Sequence, residues 1–144
     1  MPLVYFDSSA LVKLVVEEAG SDLVADLWDG CDAALSSRLA YPEVRAALAA
    51  AGRNHDLDDQ DLTAAEDAWE EYWSATRPVE LTGEVERQAG HLARVHALRG
   101  ADAVHLASAL AIGDTDLIVA VWDQRLHAGA RAAELRVAPF ELTT

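Results

Sequence analysis

Short apolar runs alternate along the chain with longer segments of helical periodicity. The first run, Leu3–Phe6, is stopped by Asp7 and two serines, and the longest, Leu117–Val121, is unbroken and rich in valine. An apolar run of this kind predicts a strand that is buried on both faces. Weaker runs predict three further strands, at Ala33–Leu35, at Val79–Leu81 after a break at Pro78, and around Val137.

Helical segments separate these strands, and several of them start at a capping residue or end at a glycine. Five of the predicted helices are Ala10–Val16, Ser21–Gly30, Thr82–Leu98, Asp102–Ile112 and Gln124–Leu135. Another is capped by Ser36 or Ser37, carries Pro42 in its first turns and runs to Ala51. The last follows the polar turn Asn54–Asp61 and has Leu62, Ala65, Trp69 and Trp73 on one face. Strands that alternate with one or two helices predict a three-layer α/β/α fold around a parallel sheet. We expect residues 1–144 to form a single domain, since no linker or internal repeat interrupts them.

Composition narrows the class of protein. The chain has 144 residues, of which 51% are hydrophobic, so it is too apolar for disorder and long enough to bury its own core. Its longest stretch without charged residues, Ala103–Gly113, is about half the ~20 residues that a membrane span needs. The start Met1–Leu3 lacks the features of a signal peptide, and the single Cys31 is typical of a reducing compartment. We therefore expect a cytoplasmic protein without a membrane span.

Charge is the most unusual bulk property of the chain. It has 25 acidic residues against 11 basic ones, for a net charge of -14. All the basic residues except Lys13 are scattered arginines, unlike the basic face of proteins that bind duplex DNA through its phosphates. Such a chain suits divalent cations or a basic partner, and a metal ion that neutralises phosphate locally still permits a nucleic-acid substrate.

Acidic residues stand where parallel sheets bind ligands, beyond the carboxyl ends of the strands. Asp7 and Asp123 follow the two longest apolar runs, so we expect both carboxylates at one edge of the sheet. Glu43 and Asp102 lie in the first turns of predicted helices and are able to face the same edge. Each acid also has a structural interpretation, as a helix cap or as a partner of the helix dipole. The shared edge favours a functional role for Asp7 and Asp123, and both interpretations stay open for Glu43 and Asp102.

The segments around these acids resemble, in order and spacing, the four acidic motifs of PIN-domain ribonucleases, with the closest likeness to the VapC toxins of bacterial toxin–antitoxin pairs. They read YFDSSALVK from Tyr5, AYPEVRAAL from Ala40, LRGADAVHLA from Leu98 and WDQRL from Trp122. The resemblance implies a PIN-like sheet of about five parallel strands with an acidic pocket for Mg²⁺ or Mn²⁺. It also implies that the catalytic residues and metal ligands are Asp7, Glu43, Asp102 and Asp123.

Hard divalent ions prefer oxygen ligands, and a metal-activated water attacks phosphorus in line. The family likeness implies products with 5′-phosphate and 3′-hydroxyl ends. One departure is Val121, because family members often carry Thr or Ser two residues before the last aspartate, where a hydroxyl can hold that residue or a metal-bound water. Ser9, two residues after Asp7, still offers a supporting hydrogen bond.

Basic residues and one histidine near the motifs have both functional and ordinary interpretations. Lys13, Arg99 and Arg125 are candidates for contacts with RNA phosphates, although each is also typical of a surface ion pair. His105 lies on the same helix face as Asp102, and we expect it to be packed or to support the site rather than bind metal, because Mg²⁺ prefers oxygen.

Other protein classes with an aspartate after the first strand fit less well. A haloacid-dehalogenase-like phosphatase needs a second Asp where Ser9 stands, and a receiver domain needs an acidic pair at the first strand and a lysine near the last. We predict an Mg²⁺- or Mn²⁺-dependent endoribonuclease of the VapC type. The family likeness implies a homodimer inhibited by a cognate antitoxin. The remaining alternative is a noncatalytic PIN-like module for dimerisation or protein interaction.

Overall fold

Strands and helices alternate along the chain, as the apolar pattern predicts. A computed structural model describes residues 2–142. Residues 1 and 144, the predicted limits of the domain, lie outside the described residues, and so does Met1 of the segment that lacks signal-peptide features. The strands are β1 (Leu3–Phe6), β2 (Ala33–Ser37), β3 (Thr76–Val79), β4 (Ile118–Ala120) and β5 (Arg136–Ala138). The helices are α1 (Ser8–Val15), α2 (Ser21–Gly30), α3 (Ala40–Arg53), α4 (Asp59–Ser74), α5 (Gly83–Val95), α6 (Gly100–Ile112) and α7 (Gln124–Ala132).

The sheet is parallel throughout, with the strand order β3-β2-β1-β4-β5. The predicted three-layer α/β/α fold with five parallel strands is therefore confirmed. The chain builds the sheet outward in both directions from β1, so the carboxyl ends of β1 and β4 flank the point where the strand order reverses. Ligands of open α/β sheets bind at such a switch point. Asp7 follows β1 there, and its backbone N–H donates to the carbonyl of Ala120 at the end of β4 (3.1 Å).

Two apolar clusters form the core, one on each face of the sheet. Val4 and Phe6 pack with residues of α1 to α4, whereas Tyr5 packs with residues of α5, α6 and α7. This division follows from the strand period of two, which sends successive side chains to opposite faces. The hydroxyl of Tyr5 is therefore buried on the side of the sheet that α6 covers.

The predicted position of the third strand is wrong. The sequence predicts Val79–Leu81 after a break at Pro78, whereas β3 runs from Thr76 to Val79 and contains that proline. β3 is an edge strand of the sheet, where a residue without a backbone N–H is tolerated on the side that has no neighbouring strand. The pattern of apolar residues could not reveal that this strand lies at an edge.

The predicted cap of the third helix is also wrong. Ser36 and Ser37 belong to β2, and the Ser36 hydroxyl donates to the carbonyl of Phe6 in the neighbouring strand (2.6 Å). α3 starts at Ala40 with Pro42 in its first turn, where a missing N–H is tolerated, and it continues beyond Ala51 to Arg53. Ser36 thus joins two strands, and the Ser37 hydroxyl accepts from the N–H of Leu39 (3.1 Å), the residue before α3.

Other helix boundaries shift by about one turn or less. α1 begins at Ser8 and α6 at Gly100, each earlier than predicted, and α4 begins inside the predicted polar turn because Asp58 caps it. α5 and α7 stop before the predicted ends at Leu98 and Leu135. The backbone turns left-handed shortly after each helix, at Ala97 (φ 53°) and Glu134 (φ 66°), which ends the helical hydrogen-bond pattern. No helix within residues 2–142 is long and apolar enough to cross a membrane.

Candidate active site

Two of the four predicted acids cap the helices that follow their strands. Asp7 Oδ1 accepts a hydrogen bond from the backbone N–H of Ala10 (2.9 Å), and Asp123 Oδ1 accepts one from Leu126 (2.9 Å). The capping interpretation is therefore correct for both residues. It leaves the other oxygen of each carboxylate for side-chain partners, so capping and a role in a site are compatible here.

Asp7 is the most deeply placed acid, with 3% of its surface exposed. The Ser9 hydroxyl lies 2.7 Å from Asp7 Oδ1 and 2.8 Å from Oδ2. The backbone N–H of Trp122 donates to the same Ser9 oxygen (3.3 Å), so this serine also ties the start of α1 to the segment after β4. Ser9 thus orients Asp7 against the end of the sheet.

Asp102 and Asp123 are brought together by Arg99. Asp102 lies in the first turn of α6, as predicted. Arg99 Nε is 3.3 Å from Asp102 Oδ2, and Arg99 Nη2 is 3.4 Å from Asp123 Oδ2. One guanidinium therefore bridges carboxylates from two elements, and its side chain is 70% exposed.

Glu43, in the first turn of α3, is held by residues from two other helices. Its Oε1 accepts from the Ser8 hydroxyl (2.6 Å) and lies 2.6 Å from His105 Nε2. Sequence reasoning did not single out Ser8, whose only signal is its place directly after Asp7. It placed His105 as a packed or supporting residue, which agrees with a ring that is buried and hydrogen-bonded to an acid of the site.

Burial and mutual repulsion raise the pKa of two of these acids. Burial, with a smaller contribution from the charge of Asp123, raises the pKa of Asp7 to about 6 against the lowering effects of the hydrogen bonds from Ser9 and from the N–H of Ala10. Burial and Asp123 likewise raise the pKa of Asp102, although Arg99 opposes them. Burial also acts to raise the pKa of Glu43, but the hydrogen bonds from His105 and Ser8 hold it below its ordinary value. Burial is thus the main cause of both upward shifts, and the negative charge of Asp123 adds to them.

The chemistry of these donors fits a hard divalent cation. Carboxylate oxygens are the ligands that Mg²⁺ and Mn²⁺ prefer, and a cation near Asp7 and Asp102 would offset the burial and the repulsion that disfavour their charged forms. Within residues 2–142, no three His, Cys, Asp or Glu side chains stand together as a ready-made metal-binding group. Arg99 supplies positive charge to two of the carboxylates in this arrangement, so metal binding would require it to move.

The remaining residues that the sequence singled out differ in their exposure and in their contacts. Lys13 pairs with Glu18 (3.0 Å) and lies 5.1 Å from the ring centre of Trp122, with only 11% of its side chain exposed. Arg125 is exposed at the start of α7. Val121, the departure from the family pattern, is fully buried in the apolar core, and the Ser9 hydroxyl contacts Asp7 and the N–H of Trp122.

Comparison with known proteins identifies the family of this chain. Residues 4–134 match the family model of the PIN domain. Over 142 residues the chain is 73% identical to ribonuclease VapC45 and to ribonuclease VapC49, both from Mycobacterium tuberculosis, and each alignment covers 99% of this chain and 99% of the relative.

Solved structures share the fold at low sequence identity. FitAcB from Neisseria gonorrhoeae matches with a TM-score of 0.69 and 17% identity over 93% of this chain and 95% of that one. A toxin–antitoxin complex from Klebsiella pneumoniae matches with a TM-score of 0.66 and 16% identity over 97% of this chain and 99% of that one. At such identities the similarity extends to the fold alone.

Proposed function

Because this chain belongs to the PIN-domain family as a ribonuclease of the VapC type, we propose that it is an endoribonuclease that acts through its acidic site. The proposed catalytic residues and metal ligands are Asp7, Glu43, Asp102 and Asp123, and the proposed cofactor is Mg²⁺ or Mn²⁺. The observation that supports the proposal is that Asp7 and Asp123 follow β1 and β4 at the switch point of the sheet, where Arg99 joins Asp123 to Asp102 and His105 of α6 contacts Glu43.

The residues of this chain have distinct roles in the proposed reaction. A bound divalent ion would polarise the scissile phosphate and supply an activated water. Ser9 holds Asp7 in one orientation, and the hydrogen bonds to Glu43 keep that carboxylate ionised at neutral pH. Arg99 is exposed beside the acids, and its planar guanidinium suits two oxygens of an RNA phosphate.

We further propose that Arg125 is a better candidate than Lys13 for contact with an RNA phosphate. Arg125 is exposed near Asp123 in sequence and is free to approach RNA from solution. Lys13 is the weaker candidate, because it would have to leave Glu18 and the face of Trp122 to reach a phosphate.

We propose that the protein is a homodimer of single-domain chains in the cytoplasm. We also propose that a cognate antitoxin with a basic segment binds and inhibits it. A net charge of -14 favours a basic partner, and one structural relative is a toxin–antitoxin complex. Light scattering of the purified chain at micromolar concentration tests the dimer, since a monomeric mass would contradict it.

The metal site is tested first, because its result does not depend on the choice of RNA. Calorimetric titration of EDTA-stripped protein with Mn²⁺ should show saturable binding, which Asp102→Asn weakens. Asp116→Asn is the matched control, because it removes the same charge from a side chain that is 76% exposed before the amino end of β4. Absence of binding, or equal binding by the wild type and Asp102→Asn, would contradict the proposal and favour a noncatalytic interaction module.

Catalysis is tested by the amide variants Asp7→Asn and Asp102→Asn. We expect both variants to fold, since Asn caps a helix well in place of Asp7 and Asp102 lies inside the first turn of α6 without capping it, and to lose cleavage of total cellular RNA and inhibition of bacterial growth. Circular dichroism checks the fold, and gel analysis of the RNA with Mg²⁺ measures cleavage. A variant that remains as active as the wild type removes that residue from the catalytic set.

A further inference from the structure

A buried chain of hydrogen bonds runs from β1 to the acidic site. The Tyr5 hydroxyl lies 2.7 Å from His105 Nδ1, and His105 Nε2 lies 2.6 Å from Glu43 Oε1. Tyr5 is fully buried and His105 is almost so. The two rings also meet edge to face, with centroids 5.9 Å apart, so packing fixes the imidazole as well as hydrogen bonding does.

Hydrogen-bond chemistry allows only certain proton positions along this chain. An ionised carboxylate only accepts hydrogen bonds, so His105 must donate to Glu43 from Nε2. A neutral imidazole then has its lone pair on Nδ1, where the O–H of Tyr5 lies within donating distance. Both ring nitrogens are used in this way, and neither is left to bind a metal.

The buried chain of hydrogen bonds joins the elements that carry three of the four acids. Tyr5 belongs to β1, which leads directly to Asp7, and His105 lies on α6 one turn after Asp102. Glu43 comes from α3, and its flexible side chain would otherwise have several rotamers at the surface of the site. His105 and Ser8 both reach the same oxygen, Oε1, which leaves Oε2 of Glu43 for another partner.

We propose that His105, as the neutral tautomer with its proton on Nε2, is a positioning residue that presents Glu43 to the divalent cation, and that Tyr5 selects this tautomer. The inference rests on the proposed function, because it assigns the buried chain a task in that same site.

Isosteric variants separate this role from simple packing. His105→Gln can place an amide nitrogen near the position of Nε2 and still donate to Glu43, whereas His105→Asn places its amide near Nδ1 and cannot reach Glu43. We expect Asn to weaken Mn²⁺ affinity about 10- to 100-fold, as is typical when a partner of a metal-binding side chain is lost, and Gln to retain most of the affinity. Calorimetry on EDTA-stripped protein measures both, and thermal unfolding checks the fold.

The tautomer has its own spectroscopic test. In protein labelled with ¹⁵N-histidine, long-range ¹H–¹⁵N correlation spectra should show His105 protonated on Nε2 and unprotonated on Nδ1. Tyr5→Phe removes only the hydroxyl, so we expect it to mix the two tautomers and to weaken Mn²⁺ binding less than His105→Asn does. If His105→Asn does not fold, the comparison of Tyr5→Phe with the wild type decides the question.

The outcomes distinguish this inference from the proposed function. If the wild type binds Mn²⁺ and His105→Asn binds it equally well, the positioning role is wrong and the metal site stands. A proton on Nδ1 in the wild type, or a Gln variant as weak as the Asn variant, would likewise overturn the inference. If the wild type fails to bind Mn²⁺, the proposed function fails, and the positioning of Glu43 for a cation fails with it.

Discussion

The two halves of the acidic cluster are held in different ways. Asp7 and Glu43 receive short hydrogen bonds from Ser9, Ser8 and His105, which are buried or partly buried. Asp102 and Asp123 instead share Arg99, an exposed side chain at longer distances. Buried hydrogen bonds to charged groups hold their geometry firmly, whereas exposed ion pairs contribute little and are screened by salt. Buried hydrogen bonds therefore fix one half of the candidate site, whereas the Arg99 contacts of the other half are free to rearrange, with Asp123 Oδ1 kept in the cap of α7.

The largest effect is expected in the fixed half, for Asp7→Asn. The pKa of Asp7 rises from 3.8 in the unfolded chain to about 6 in the fold, so the folded state holds this proton more tightly. Stability therefore falls as pH rises from about 4 to about 6, and it stays lowered above that range. Asp7→Asn should raise the free energy of unfolding at pH 7.5 by up to about 3 kcal/mol, because one pKa unit corresponds to about 1.4 kcal/mol.

Urea unfolding of the EDTA-stripped proteins measures this difference. At pH 4 most of the gain should disappear, because the folded wild type then carries a protonated Asp7. The amide oxygen of Asn still accepts from the N–H of Ala10, so the helix cap is kept. A variant that is less stable than the wild type at pH 7.5 would show that burial does not oppose ionisation of Asp7.

Ser9→Ala tests what holds Asp7 in place and should have a smaller effect of opposite sign. Loss of a hydrogen bond to a buried charged group costs about 2 kcal/mol, so we expect that destabilisation at pH 7.5 and a smaller one at pH 4. The double variant Asp7→Asn, Ser9→Ala completes a double-mutant cycle, which measures the interaction between the two side chains. If Ser9→Ala destabilises the Asp7→Asn protein just as much, the serine acts through Trp122 rather than through the carboxylate.

The sequence predicted the parts of the site that depend on neighbouring residues. Asp7 and Asp123 follow buried strands, and a residue in that position reaches the carboxyl edge of the sheet whatever the rest of the chain does. The bonds that link the acids could not be predicted, because they depend on how helices pack. His105 contacts Tyr5 across 100 positions of sequence, and Arg99 reaches Asp123 across 24. The position of Pro78 inside β3 could not be predicted either, because proline is tolerated there only since the strand lies at an edge of the sheet.

The smallest effect on stability is expected in the adjustable half, for Arg99→Gln. Exposed ion pairs contribute between zero and about 1 kcal/mol, so the free energy of unfolding should change by no more than that. Mn²⁺ affinity should increase, because the cation no longer competes with the guanidinium for Asp102 and Asp123. Calorimetry at low salt measures the gain, which should shrink in about 1 M KCl, where the Debye length is about 3 Å.

Arg136→Gln is the matched control for this prediction. Arg136 is also exposed and also lies near an aspartate, Asp116, but this pair is outside the cluster of acids. Its loss removes the same charge from the protein and should leave Mn²⁺ affinity unchanged. If Arg99→Gln instead weakens Mn²⁺ binding, the guanidinium organises the two carboxylates for the metal rather than competing with it. Both halves of the cluster would then be fixed before the cation arrives, which is the opposite of what the exposure of the Arg99 side chain indicates.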